Sequence, residues 1–168
     1  MIPINNDEEL EVLERDLSLS EKYGTRYHAQ HLSTFESVEL IKKAKQEGLP
    51  VTAEVTPHHI LLNNENLDTN NGLFKMYPPI RTEKDREGLV EGLQSEIIDV
   101  IATDHAPHTL NEKSNTYLKA PSGGPLVQHA LLGYLDKVEE GAFDLETLVQ
   151  KFAHNVAKML SVERCEGL

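Results

Sequence analysis

The stretch Ile98-Asp-Val-Ile-Ala-Thr-Asp-His-Ala-Pro-His108 joins an apolar, β-branched run to an aspartate, two histidines and a proline. A short apolar run closed by a turn signal reads as a buried strand. Ionisable residues at its end then sit where the following loop begins. In parallel α/β folds the carboxyl ends of the strands open on one mouth, and chemistry collects there.

Two further runs repeat the pattern upstream. "TRYHAQHLS" (25–33) is a strand candidate carrying His28 and His31, and "PVTAEVTP" (50–57) is another that leads through Glu54 to His58 and His59. With Asp104, His105 and His108, three successive strands finish in metal-capable or proton-transferring groups. Helical patterns separate them. "DEELEVLERDLSLSEKYG" spaces Leu10, Leu13 and Leu17 on one face and stops at Gly24. Ser33 and Glu36 have capping-box spacing before Val38, Ile41 and Ala44, with Gly48 closing that helix. Thr82 caps a helix bearing Leu89 and Leu93, and "PLVQHALLGYLDKVEEG" and "DLETLVQKFAHNVAKML", the latter capped by Asp144, read as two more. Strand and helix alternate without a linker. The expectation is one α/β unit over residues 1–168, a parallel sheet or part of a β/α barrel.

Composition bounds the function. The 168 residues are 39% apolar and 26% charged, enough for one core. A net charge of −12, with sixteen scattered Lys and Arg, argues against nucleic acid and anionic membranes as partners and leaves a small metabolite. The single Cys165 forms no internal disulfide, and "MIPINNDEELE" has no signal-peptide pattern, so a cytoplasmic setting is expected. Each site residue also has an ordinary reading: His28 as a hydrogen-bonded, partly buried histidine, His105 as a helix-facing one, the acidic helices as solvated faces. Coincidence at three strand ends weighs against that reading for His31 and Asp104.

"YHAQHLST", "VTAEVTPHHILL", "KMYPPIRTEKDREGLVEGL" and "IDVIATDHAPHTLNEK", in this order and spacing, resemble the bacterial dihydroorotases of the amidohydrolase superfamily, as does "KAPSGGPLVQHALLGYL". The resemblance implies a metal-dependent, distorted β/α TIM-type barrel, of which these would be the last three of eight strands, and the reversible cyclisation of N-carbamoyl-L-aspartate to dihydroorotate in pyrimidine biosynthesis. By position, His31 matches the sixth-strand histidine that ligates zinc. Asp104 matches the eighth-strand aspartate that touches the metal and shuttles the proton. In such a site two cations lower the pKa of a bridging water and a neighbouring carboxylate carries its proton. His108 and the backbone around Ala106 match substrate-holding positions, and the segment Ala120, Pro121 to Gly123 and Gly124 resembles the loop closing on the pyrimidine. Glu54 and His59 match positions that support the site or serve as auxiliary ligands.

Two departures stand out. Tyr77 occupies the place of a substrate-binding asparagine. The family's first-strand histidine pair, its fourth-strand bridging carboxylate or carboxylated lysine and its fifth-strand histidine have no counterpart in the chain, and its last strands, which complete a small β-domain, would begin where "SVERCEGL" ends. The expectation is therefore a C-terminal barrel segment that binds its two zinc ions weakly or not at all alone, is inactive alone, and either self-associates as a homo-oligomer or pairs with a complementing N-terminal half. The competing expectations are a truncated, non-catalytic interaction module, or another cyclic-amide hydrolase such as an allantoinase or hydantoinase.

Overall fold

A computed structural model describes residues 7–65, 67–68 and 71–162. Cys165 and the first six residues lie outside the described residues. The chain runs α1 (Asp7–Tyr23), β1 (Tyr27–Ala29), α2 (Phe35–Gln46), β2 (Val51–Val55), α3 (Pro57–Leu61), a 3-10 turn (Gly72–Phe74), α4 (Glu83–Gln94), β3 (Val100–Ile101), α5 (Leu110–Lys113), α6 (Ala130–Glu139), α7 (Leu145–Val149), a π-helical turn (Gln150–His154) and α8 (Asn155–Met159).

The three strands form one parallel sheet in the order β1-β2-β3, with Tyr27 beside Val51 and Glu54 beside Val100. Helices cross over between them, α2 after β1 and α3 with α4 after β2. This is an α/β architecture of the kind a partial barrel has. Alternation along β2 sorts the two faces: Val51, Ala53 and Val55 are buried, while Thr52 and Glu54 are half-buried on the other side. The buried face packs against Val38, Ile41, Leu89, Leu93 and Ile98. Each fully buried Leu or Ile there stabilises by about 1.5–3 kcal/mol. Helices α2 and α4 approach closely because a Cβ on Gly92 would meet Val38 Cγ1 at 2.9 Å. α7 to α8 lies by the amino ends of the strands, where Asn155 Nδ2 donates to the Asp99 carbonyl (2.7 Å) and Arg26 donates to the Met159 carbonyl (2.9 Å). Among the described residues no helix is long and apolar enough to cross a membrane.

Three local expectations are corrected. The cap of α2 is Thr34, whose side chain accepts from the Ser37 N–H, because the Ser33 hydroxyl is already bonded to Glu9 of α1. The third strand is only two residues long, since the Asp99 carboxylate rather than a main-chain carbonyl accepts the Ala53 N–H (2.8 Å). α6 begins at Ala130 rather than near Pro125. His105 bridges Gly124 and its Nδ1 accepts the Val127 N–H (3.2 Å), which holds the intervening residues in turns.

Candidate active site at the carboxyl ends of the strands

His31 follows β1 and Asp104 follows β3, on the same end of the sheet, with φ of 39° and 47°. Left-handed backbone is costly for residues with a Cβ, roughly 1–3 kcal/mol each. Two other described non-glycine residues share it, Glu96 and Ser161, and both directly follow helix C-caps, where such a conformation is ordinary. No helix end accounts for His31 and Asp104. β2 lies between β1 and β3, so the two strands that lead to these residues are about 10 Å apart.

Around His31 the chain is held from two sides. His28 Nε2 donates to Glu54 Oε2 (3.0 Å), and Thr52 Oγ1 lies 2.8 Å from its Nδ1. The Leu32 N–H returns to the Glu54 carbonyl (3.0 Å). Next in the chain, the Ser33 N–H and the Ser37 hydroxyl donate to the Glu9 carboxylate at 3.0 and 2.6 Å. Arg81, buried, donates from Nε to Ser33 Oγ (3.0 Å) and lies 3.6 Å from Glu9.

The end of β2 is apolar in character despite its histidines. His59 Nε2 must donate to the Pro78 carbonyl (3.1 Å), which leaves Nδ1 to accept from Thr56 Oγ1 (2.8 Å); that hydroxyl in turn accepts from His58 Nε2 (3.1 Å). His58 Nδ1 is then a buried lone pair with no partner. Burial lowers His58 to about 2, helped by His59 and His31, and lowers His59 to about 3 against the raising effect of its bond to Pro78. Both rings are neutral. His59, expected as a supporting or auxiliary group, has both nitrogens engaged within the protein.

The residues expected to bind substrate lie on three segments fastened to one another, around Tyr77, Ala106 to His108, and Ala120 to Gly124. The Ala106 N–H donates to the Gly124 carbonyl (3.1 Å), His108 Nε2 to the Ser122 carbonyl (2.9 Å), and the Gly123 N–H to the Lys75 carbonyl (3.0 Å). Gly123 has φ 112°, and a Cβ there would meet Ala106 Cβ at 2.6 Å, so the loops touch backbone to backbone. Lys113, buried, ties the Pro121–Gly123 loop to the segment before Tyr77: its Nζ donates to the carbonyls of Lys75 and Pro121, each at 3.0 Å. Ala120 is buried against Gly72 and offers a ligand no side chain, and the Ala106 N–H is already spent. Tyr77, 71% exposed, shares with His31 and Ser122 the wall of a cavity of about 1310 Å³; Asp104 and His108 are not in that wall.

Among the described residues no group of three or more His, Cys, Asp or Glu side chains could hold a metal ion. His31 and Asp104 are donors of the right kind, but a zinc centre takes three or four. These residues alone do not fit one. Sequence reasoning missed Glu9, Arg81 and Lys113. Nothing in a helical glutamate or in "LNEK" distinguishes a buried, pinning charge from a solvated one.

Fold and strand-end chemistry place the chain first in a class. The chain matches no protein-family model. It superposes on the L-hydantoinase (dihydropyrimidinase) from Arthrobacter aurescens with a TM-score of 0.85 and 28% identity, over 90% of this chain and 34% of that one. The D-hydantoinase (dihydropyrimidinase) from Thermus sp. gives 0.85 and 24% over 94% and 36%, a likeness of fold. The class these likenesses define is one of fold, that of about a third of a hydantoinase chain. Within it the sequence is similar to dihydroorotase. Identity is 46% over 153 residues with the dihydroorotase of Lactobacillus leichmannii (90% of this chain, 36% of that protein) and 45% over 150 residues with that of Anoxybacillus flavithermus (89% and 35%). The dihydroorotase of Staphylococcus aureus strain Mu50 gives 46% over 154 residues (90% and 34%). The chain spans about a third of the length of these curated relatives.

Proposed function

We propose that the chain provides the last three strands of a dihydroorotase-type cyclic amidohydrolase, acting on carbamoyl-aspartate and dihydroorotate in a cytoplasmic pyrimidine pathway. One observation carries the reading: the strand-end residues lie in a sequence 46% identical to dihydroorotase over nine-tenths of the chain. The left-handed backbone at His31 and Asp104 supports it, because strain of this sort gathers at functional sites.

In this reading the Asp104 carboxylate takes a proton from the attacking water and returns it to the leaving amide nitrogen. His108, with Pro121, Gly123 and the exposed Tyr77, orients the substrate. Glu54 and His59 support the strand ends. Two zinc ions are the expected cofactor, with His31 and Asp104 each supplying one donor; the remaining donors come from outside these residues, through a complementing N-terminal barrel segment. The chain alone is expected to self-associate, to bind zinc weakly and to show no turnover, which light scattering, zinc titration and a cyclisation assay check together.

The decisive test joins this chain to the complementary two thirds of a dihydroorotase relative. Asp104→Asn is expected to lower turnover by about two to four orders of magnitude with a smaller loss of metal. His108→Ala is expected chiefly to raise KM. Small, equal effects from both would overturn the reading. A second reading, a non-catalytic interaction module, is favoured by the lack of a three-donor group among the described residues; an inactive joined protein with intact fold would select it.

A further inference from the structure

His31 holds an unfavourable backbone conformation in a turn that is otherwise short and half-exposed, so something must over-determine it. Beyond the β1–β2 ladder, which runs to Ala29 beside Ala53, two bonds that bracket this turn both end on one residue of the neighbouring strand. Before the turn, the Glu54 carboxylate accepts from His28 Nε2 at 3.0 Å; after it, the Glu54 carbonyl accepts the Leu32 N–H, also at 3.0 Å. His28 and Glu54 are only partly exposed, and Thr52 occupies the other ring nitrogen of His28, so the imidazole has one orientation available. Ser33, one residue further on, is fixed independently by Glu9 and Arg81.

We propose that Glu54 is the positioning residue for His31, acting as a two-point clamp: side chain to His28, main chain to Leu32. With both ends of the Gln30–His31 turn fixed to one residue, the chain has too little slack to relax His31 to negative φ, and the ring stays in the cavity wall. Glu54 thereby acts through His28 and the backbone, without touching a ligand itself. The significance for catalysis rests on the proposed role of His31, whereas the clamp itself does not.

The test uses the full chain, isotope-labelled, with two NMR readouts. Positive φ brings the amide and α protons of a residue close together, giving a strong intraresidue cross-peak at His31. Amide exchange at Leu32 reports the second clamp point. Glu54→Ala and His28→Ala, which cut the same bond from opposite ends, are expected to weaken the His31 cross-peak and to speed Leu32 exchange about tenfold each. The double variant should be no worse than either single one, since one interaction is lost in all three. Val55→Ala, a cavity-forming change on the same strand, is expected to lower stability while leaving the His31 cross-peak intact. Retention of the cross-peak in the His28 and Glu54 variants, additive effects in the double variant, or its loss in Val55→Ala would each overturn the clamp. Should Glu54→Ala fail to fold, the His28→Ala comparison decides alone. If the clamp holds but His31→Ala leaves turnover of the joined enzyme unchanged, the functional reading fails and the clamp stands.

Discussion

Mild acid is expected to destabilise this protein through two buried histidines, His58 and His59. His58 and His59 are kept neutral by burial, with folded values near 2 and 3 against an ordinary 6.5. Below about pH 6.5 the unfolded chain therefore binds two protons that the folded chain refuses. Stability falls as pH falls, starting just above 6.5 and continuing until the folded values are reached. Between about pH 7 and about pH 5 each histidine costs roughly 2 kcal/mol, or about 4 kcal/mol for the pair, and the result depends only on both folded values lying well under 5. The depressed carboxylates Glu83, Glu112 and Asp144 start from ordinary values of 4.5, 4.5 and 3.8, so they add little in this window. Urea unfolding at the two pH values and constant salt measures the difference. With a slope of about 2 kcal/mol per molar, the midpoint should move by about 2 M. A change below about 1 kcal/mol would refute the reasoning, as would a His58→Gln, His59→Gln variant that loses stability just as steeply.

Tyr134→Phe is expected to raise stability by about 1–2 kcal/mol, because the Tyr134 hydroxyl is buried without a partner while its ring packs beside Phe143 and Phe152; a lower urea midpoint would contradict this. Gly123→Ala should cost about 2 kcal/mol or more, since both its φ and the contact with Ala106 forbid a Cβ. Gly24→Ala, with φ 62° and open space around it, should cost only about 1 kcal/mol. Equal midpoint shifts for the two would mean that the loop contact contributes nothing.

Local signals were enough for much of the fold. α1 and α4 announce themselves by apolar spacing, and Thr82 forms its capping box with Asp85, three positions on, as a local signal. Ser33 fits the same local rule and fails it, because Glu9, 24 positions earlier, claims its oxygen. The shortened β3 has a similar cause, since the Asp99 side chain intrudes on a ladder that composition alone would continue. Strand ends were legible at His31 and Asp104, where polar residues interrupt an apolar run. Their left-handed backbone was not, nor was the neutral state of His58 and His59, which depends on burial that adjacent identical residues cannot signal. Lys113 and Glu9 act through partners brought near only by the tertiary fold.

The two halves of the candidate site are fastened by different means. His31 and Asp104 extend from the sheet, whereas the Pro121–Gly123 loop hangs from the Lys113 ammonium and from main-chain bonds. Ser122 contributes its carbonyl to that fastening, and Tyr77 projects from its own segment into solvent. Side chains at these two positions can thus be exchanged over evolutionary time without loosening the loop or disturbing the strand ends. A lineage carrying this scaffold could vary these two positions one substitution at a time while His31 and Asp104 stay where the sheet holds them.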